Sequence, residues 1–170
     1  MSDMNIVDAL FLQQSSYIIL LSGLLPELEE VVSDVAKDLN FTYLCFNHVK
    51  QDYNAVNKRV NDLLEKKKVQ GLILCGKQFP RDKLDFKVNL HIHLSINKTL
   101  MSELKIEQNH DTYVEELKTN FINKYINIKP GYVVEKIGDD VFDYIIASVG
   151  KIVHPEGAVA FRQSKMGGRA

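Results

Sequence analysis

The stretch Tyr17-Ile-Ile-Leu-Leu-Ser-Gly23 decides how this chain is read. Five apolar or aromatic residues in a row, closed by Ser22 and Gly23, predict a strand over residues 16–22 buried on both faces. Pro26 follows at a position suited to the first turn of a helix, where its missing N–H costs nothing. Leu28, Val31, Val32, Val35 and Leu39 then recur at helical spacing, with Glu27, Glu29, Glu30, Asp34 and Lys37 turned outward. A strand, a glycine and a helix start form the setting of a phosphate-binding loop, whose backbone N–H groups point at an anion. Counted from Gly23, the pattern G-x-x-x-x-G-K-[ST] requires Gly, Lys and Ser/Thr at 28, 29 and 30. The chain has Leu28, Glu29 and Glu30 there. A carboxylate in place of an ammonium repels phosphate, and a leucine Cβ blocks close backbone approach.

Outward from that stretch, strands and helices alternate. Phe41–Phe46 reads as a second strand and Tyr53–Lys67 as a helix with an apolar stripe at Tyr53, Val56, Val60, Leu63 and Leu64. Val69–Gly76 is a near-continuous apolar strand, and Lys87–Ser95 a fourth, alternating one. A short helix is expected near Lys98–Glu107 and another over Thr112–Tyr125, with Val114, Leu117, Phe121 and Tyr125 aligned. Gly131–Glu135 is the candidate fifth strand, and Asp139 or Asp140 the candidate cap of a last helix carrying Val141, Tyr144, Ile145, Ser148 and Val149. This order predicts a three-layer α/β domain with a mainly parallel five-stranded sheet over residues 1–153. Residues 154–170 lose the periodicity and read as a C-terminal tail, flexible or bound to a partner.

At 170 residues and net charge −1, the chain has room for one sizeable core and no general field for nucleic acid or anionic lipid. No apolar run approaches membrane-spanning length, and Met1-Ser-Asp-Met-Asn lacks the basic head of a signal peptide. The expected location is therefore the cytoplasm, with neither membrane nor nucleic acid as partner. The abundance of Asn, Lys and Ile suits an AT-rich genome. If the source is a large DNA virus, the location would be the virus particle. Cys45 and Cys75, each within a strand-like run, read as reduced, buried thiols.

Three segments resemble the small P-loop kinases of nucleosides and nucleotides, the adenylate and uridine kinase group. Tyr17–Gly23 resembles the strand before the phosphate loop. Gly71-Leu-Ile-Leu-Cys-Gly-Lys-Gln-Phe-Pro-Arg81 resembles the family's G-x-I-L-D-G-F-P-R segment. Leu90-His-Ile-His-Leu-Ser-Ile-Asn-Lys-Thr-Leu100 resembles the strand leading into the lid helix. The resemblance spans roughly residues 16–150 and implies the family's fold. It also implies a chemistry that the residues contradict. Glu29 and Glu30 replace the loop lysine and hydroxyl, and Cys75 stands where an acid would organise Mg²⁺. Met101–Lys105 carries Lys105 beside Glu103 where the lid has paired arginines. Phosphoryl transfer depends on positioned positive charge and metal.

The expectation is a kinase-like domain without catalysis, cofactor or metal, serving as a structural or protein-interaction component with protein partners, self-assembly included. The tail is the candidate docking segment. The alternative is an active or nucleotide-binding kinase that recruits Lys77, Lys83 or Lys98 to the phosphates. Arg81 matches the family's substrate-contacting arginine and is the candidate anion contact beside the vestigial loop of Gly23, Glu29 and Glu30; its plainer reading is a solvated loop arginine. Arg59 is expected to pair with a surface carboxylate. His91 and His93 share one face of a strand, but without a third ligand beside them they read as satisfied histidines rather than a metal site. His48, His110 and His154 carry no assigned role, and Glu65–Lys68 reads as a helix C-terminus with favourable charge.

Overall fold

A computed structural model of the chain describes residues 16–46, 52–66 and 69–153, apart from the side chains of 151–153. Five strands run β1 (Tyr17–Gly23), β2 (Thr42–Cys45), β3 (Gly71–Gly76), β4 (Leu90–Ser95) and β5 (Lys124–Asn127). The helices are α1 (Leu28–Leu39), α2 (Tyr53–Lys66), α3 (Lys98–Glu103), α4 (His110–Glu116) and α5 (Val134–Val153). The strand order is β2-β3-β1-β4-β5, and every pairing is parallel. The long apolar runs take the centre. β1 and β3 are buried throughout, as parallel strands covered on both faces must be.

The two-residue alternation of strand side chains divides the interior into two layers. Tyr17, Ile19, Leu21, Ile73, Cys75, Ile92 and Leu94 pack with α1 and α5 on one face. Ile18, Leu20, Leu72 and Leu74 pack with Val56 and Val60 of α2, and with Phe46 and Phe79, on the other. In α1 the residues at helical spacing from Leu28 to Leu39 are those that are buried, and Asn40 closes the helix in the left-handed conformation. The backbone N–H of Asn40 returns to Ala36 and Lys37 carbonyls.

The C-terminal third departs from expectation. Residues 130–131 form a turn, with Gly131 at φ 80, and the strand expected at Gly131–Glu135 is absent among the described residues. The fifth strand is instead Lys124–Asn127, which overlaps the end of the segment Thr112–Tyr125 expected to be helical. α4 ends at Glu116, a single 3-10 turn covers Leu117–Thr119, and Phe121 takes φ 51. β5 is an edge strand with three of its four residues exposed, so it lacks the apolar run that marks β1 and β3. The spacing of Val114, Phe121 and Tyr125 was not a buried face: all three are exposed, while Tyr113 and Leu117 point inward. α3 ends at Glu103 rather than near Glu107, and it is capped by the Asn97 side chain, which accepts the Leu100 N–H at 2.8 Å. α5 begins at Val134, placing Asp139 and Asp140 inside it rather than at its cap. Its inward stripe includes Val141, Ile145 and Val149 as expected, with Ile137, Phe142 and Ile146 added. His48, His154, Lys67, Lys68 and the tail from 154 lie outside the described residues.

Candidate functional site

In an open parallel sheet, ligands bind beyond the carboxyl ends of the strands where the chain switches direction. Here that point lies at β1, between β3 and β4. Gly23 ends β1 at φ 155, and a Cβ added there would lie 2.8 Å from the Leu94 carbonyl oxygen of β4. Glycine is required by this close approach to the neighbouring strand.

The following loop turns inward. The side chains of Leu25 and Leu28 are buried in the α1/α5 core. The Leu28 N–H donates to the Leu25 carbonyl at 3.1 Å, and the Val31 N–H to the Glu27 carbonyl at 3.1 Å. The Leu28 N–H is thus used within the turn rather than offered to an anion. Glu29 and Glu30 lie exposed in the first turn of α1, where their charge suits the helix dipole. Glu27 at the N-cap makes no side-chain cap bond to the helix N–H groups. Tyr132 holds that carboxylate instead, its hydroxyl donating to both oxygens, at 2.9 Å to Oε2.

Beside the loop lies a buried polar cluster that sequence reasoning left unassembled. Ser22 Oγ is 2.7 Å from His91 Nε2 and 2.8 Å from His93 Nδ1, and all three residues are essentially without solvent contact. The parallel register of β1 with β4 pairs Leu20 with His91 and Ser22 with His93, which puts the three side chains on one face. The network sets the tautomers. The Asn120 carbonyl, 3.2 Å from His91 Nδ1, can only accept, so Nδ1 carries the hydrogen and Nε2 accepts from the Ser22 hydroxyl. Ser22 Oγ then accepts from His93 Nδ1–H. Burial lowers the His91 pKa to about 3, with His93 and Arg81 adding to the effect and the Asn120 carbonyl opposing it. Burial likewise lowers His93 to about 4. Both rings are neutral at physiological pH. His91 lies edge-on to Phe79, and His93 lies between Tyr113 and Tyr125 at 5.9 and 5.7 Å. A hydroxyl hydrogen-bonded to a neutral imidazole has the form of an activated nucleophile, but no reactant reaches a Ser22 with no exposed surface. The cluster is the satisfied pair of histidines read from the sequence, and it locks β1 to β4.

The end of β3 is also closed. The Phe79 N–H donates to Asn120 Oδ1, Gln78 Nε2 to Glu116, and the Tyr113 hydroxyl to the Lys77 carbonyl. Asn120 is therefore a hub: its carbonyl serves His91, its side-chain carbonyl serves Phe79, and its amide nitrogen donates to the Glu116 carbonyl at 3.2 Å. Nothing in the sequence distinguished it from a loop asparagine. The hollow between Phe46, Tyr53, Gly76 and Phe79 measures about 30 Å³, room for about one water.

Arg81 opens a short 3-10 turn, Arg81–Lys83. It is partly buried rather than a freely solvated loop arginine, its Nε has no hydrogen-bond partner, and desolvation lowers its pKa. Of the other cations considered from the sequence, Lys83, Lys98 and Arg59 have partners, and Lys77 is exposed. Lys83 Nζ lies 5.6 Å from the Tyr53 ring centroid, and Lys98 pairs with Asp111 at 3.1 Å. Arg59, expected beside a carboxylate, lies over the Phe46 ring at 5.9 Å. Cys75 is buried and Cys45 half-buried, both as free thiols. Among the described residues no group of three or more His, Cys, Asp or Glu side chains could hold a metal ion. No helix among them is long and apolar enough to cross a membrane.

This architecture, with a helix entered directly from the central strand, is the fold of the P-loop kinases. The shikimate kinase of Bacteroides thetaiotaomicron superposes with a TM-score of 0.54 at 11% identity, covering 77% of this chain and 99% of that one. The shikimate kinase of Aquifex aeolicus gives 0.47 at 14% identity over 75% of this chain and 95% of the other. An uncharacterized protein of Eubacterium ventriosum gives 0.47 at 13% over 77% and 98%. No family model and no curated protein matches the sequence.

Proposed function

We propose that this chain is a non-catalytic kinase-like domain that serves as a structural or protein-interaction component of an assembly, a virus particle being one such setting. The observation that carries this reading is the loop after Gly23. Its Leu25 and Leu28 side chains fill the core, the Leu28 N–H is bonded back to Leu25, and the helix start presents Glu29 and Glu30. A phosphate brought there would meet two carboxylates. Lys83 and Lys98 face other partners, which weighs against their standing in for the missing lysine. The fold needs only its apolar pattern, so it outlasts the loss of phosphoryl-transfer groups. Protein partners, self-assembly and docking through residues 154–170 belong to the same proposal.

The test is a melting scan with millimolar ATP–Mg²⁺. A ligand at about 100 times its Kd stabilises the native state by about 2.7 kcal/mol, which raises the midpoint of a domain this size by about 6–10 °C. The proposal expects no shift, and a shift of that size would overturn it. A second reading, an active or nucleotide-binding nucleoside or nucleotide kinase with atypical phosphate recognition, is favoured by one observation, the buried unpartnered Nε of Arg81. It predicts an ATP-induced shift that Arg81→Ala abolishes.

A further inference from the structure

Cys45 and Cys75 end adjacent parallel strands and are paired in register, Cys45 with Cys75. Neighbouring strands lie about 4.8 Å apart, inside the window of about 4.4–6.8 Å between Cα atoms that a disulfide spans. Paired residues of parallel strands project to the same face, and here both thiols pack in the α1/α5 layer. They differ in access. Cys45 is half-buried on the edge strand β2, whereas Cys75 is fully buried in β3.

We propose that Cys45 and Cys75 form an intrachain disulfide under hydroperoxide, a redox lock that ties the edge strand β2 to β3. Cys45, the accessible thiol, attacks the peroxide oxygen as thiolate and becomes a sulfenic acid as the O–O bond breaks and one water leaves. The Cys75 sulfur then attacks the Cys45 sulfur, and the S–O bond breaks with loss of a second water. The sum is two thiols plus one H₂O₂ giving one disulfide and two waters, with both sulfurs oxidised and the peroxide reduced. Burial, and after it the adjacent Cys45 thiol, hold Cys75 well above the ordinary thiol range, so the closing step is slow near neutrality and quickens in alkali. The lock acts on one end of the sheet. Phe46, next in sequence to Cys45, donates its N–H to the Cys75 carbonyl at 2.8 Å and lines the small hollow with Gly76 and Phe79. The inference is independent of whether the domain binds nucleotide.

The experiment treats the full native chain with hydrogen peroxide and reads intact mass, free thiols after unfolding, and non-reducing electrophoresis. The expected result is a mass lower by about 2 Da, loss of both thiols, a monomeric band and recovery with dithiothreitol. In Cys45→Ser, Cys75 should stay reduced under the same treatment. Mass gains of about 16 or 32 Da without the 2 Da loss, or a disulfide-linked dimer, would overturn the proposal.

Discussion

The buried Ser22–His91–His93 cluster makes acid sensitivity the sharpest prediction. Both imidazoles titrate near 6.5 when the chain is unfolded, and burial in the fold lowers His91 to about 3 and His93 to about 4. Above about pH 6.5 both states hold the rings neutral and no penalty arises. As pH falls the unfolded chain takes up protons that the folded chain refuses, so stability drops, and the loss levels off only below the folded values. At about pH 5.5 each ring contributes RT ln(1 + 10) or about 1.4 kcal/mol, about 3 kcal/mol for the two. Against a total stability of about 5–15 kcal/mol that is a large fraction. With a urea slope of about 2 kcal/mol/M the denaturation midpoint should fall by about 1.5 M between about pH 7.5 and about pH 5.5, while most carboxylates remain ionised. Equilibrium urea unfolding by circular dichroism at the two pH values measures this. NMR of the ring protons should show His91 and His93 untitrated across the same range. An unchanged midpoint, or either ring titrating near 6.5, would refute the reasoning.

Two substitutions probe the same end of the sheet. Asn120→Ala removes the acceptor of the Phe79 N–H while leaving that buried donor in place, and should cost about 3 kcal/mol in urea unfolding. A loss below about 1 kcal/mol would show that the hub is dispensable. Gly23→Ala places a Cβ 2.8 Å from the Leu94 carbonyl oxygen at a φ of 155, so the β1–β4 pairing must shift. The expected cost is about 2 kcal/mol, read as a lower thermal midpoint, and a variant as stable as the parent would contradict the close approach.

The central architecture was legible because burial on two faces leaves a strong signature. Tyr17–Gly23 and Gly71–Gly76 are nearly uninterrupted apolar runs, and α1 shows its inward stripe from Leu28 to Leu39. The wrong charge at Glu29 and Glu30 was equally plain, since charge is a property of composition at a counted position. β5 was not legible. An exposed edge strand of four residues carries little hydrophobic pattern, and pairing with β4 rather than local propensity made Lys124–Asn127 extended.

The sequence alone determined a mainly parallel α/β domain and carboxylates in the helix start after Gly23, because periodicity and charge are local and can be counted along the chain. Tertiary structure alone decided that Ser22 meets His91 and His93, that Asn120 joins three elements, that Tyr132 takes the Glu27 carboxylate, and that Cys45 stands beside Cys75. Apart from Asn120 and Glu116, which are four positions apart, those partners lie between 29 and 105 positions apart, and only the tertiary fold brings them together.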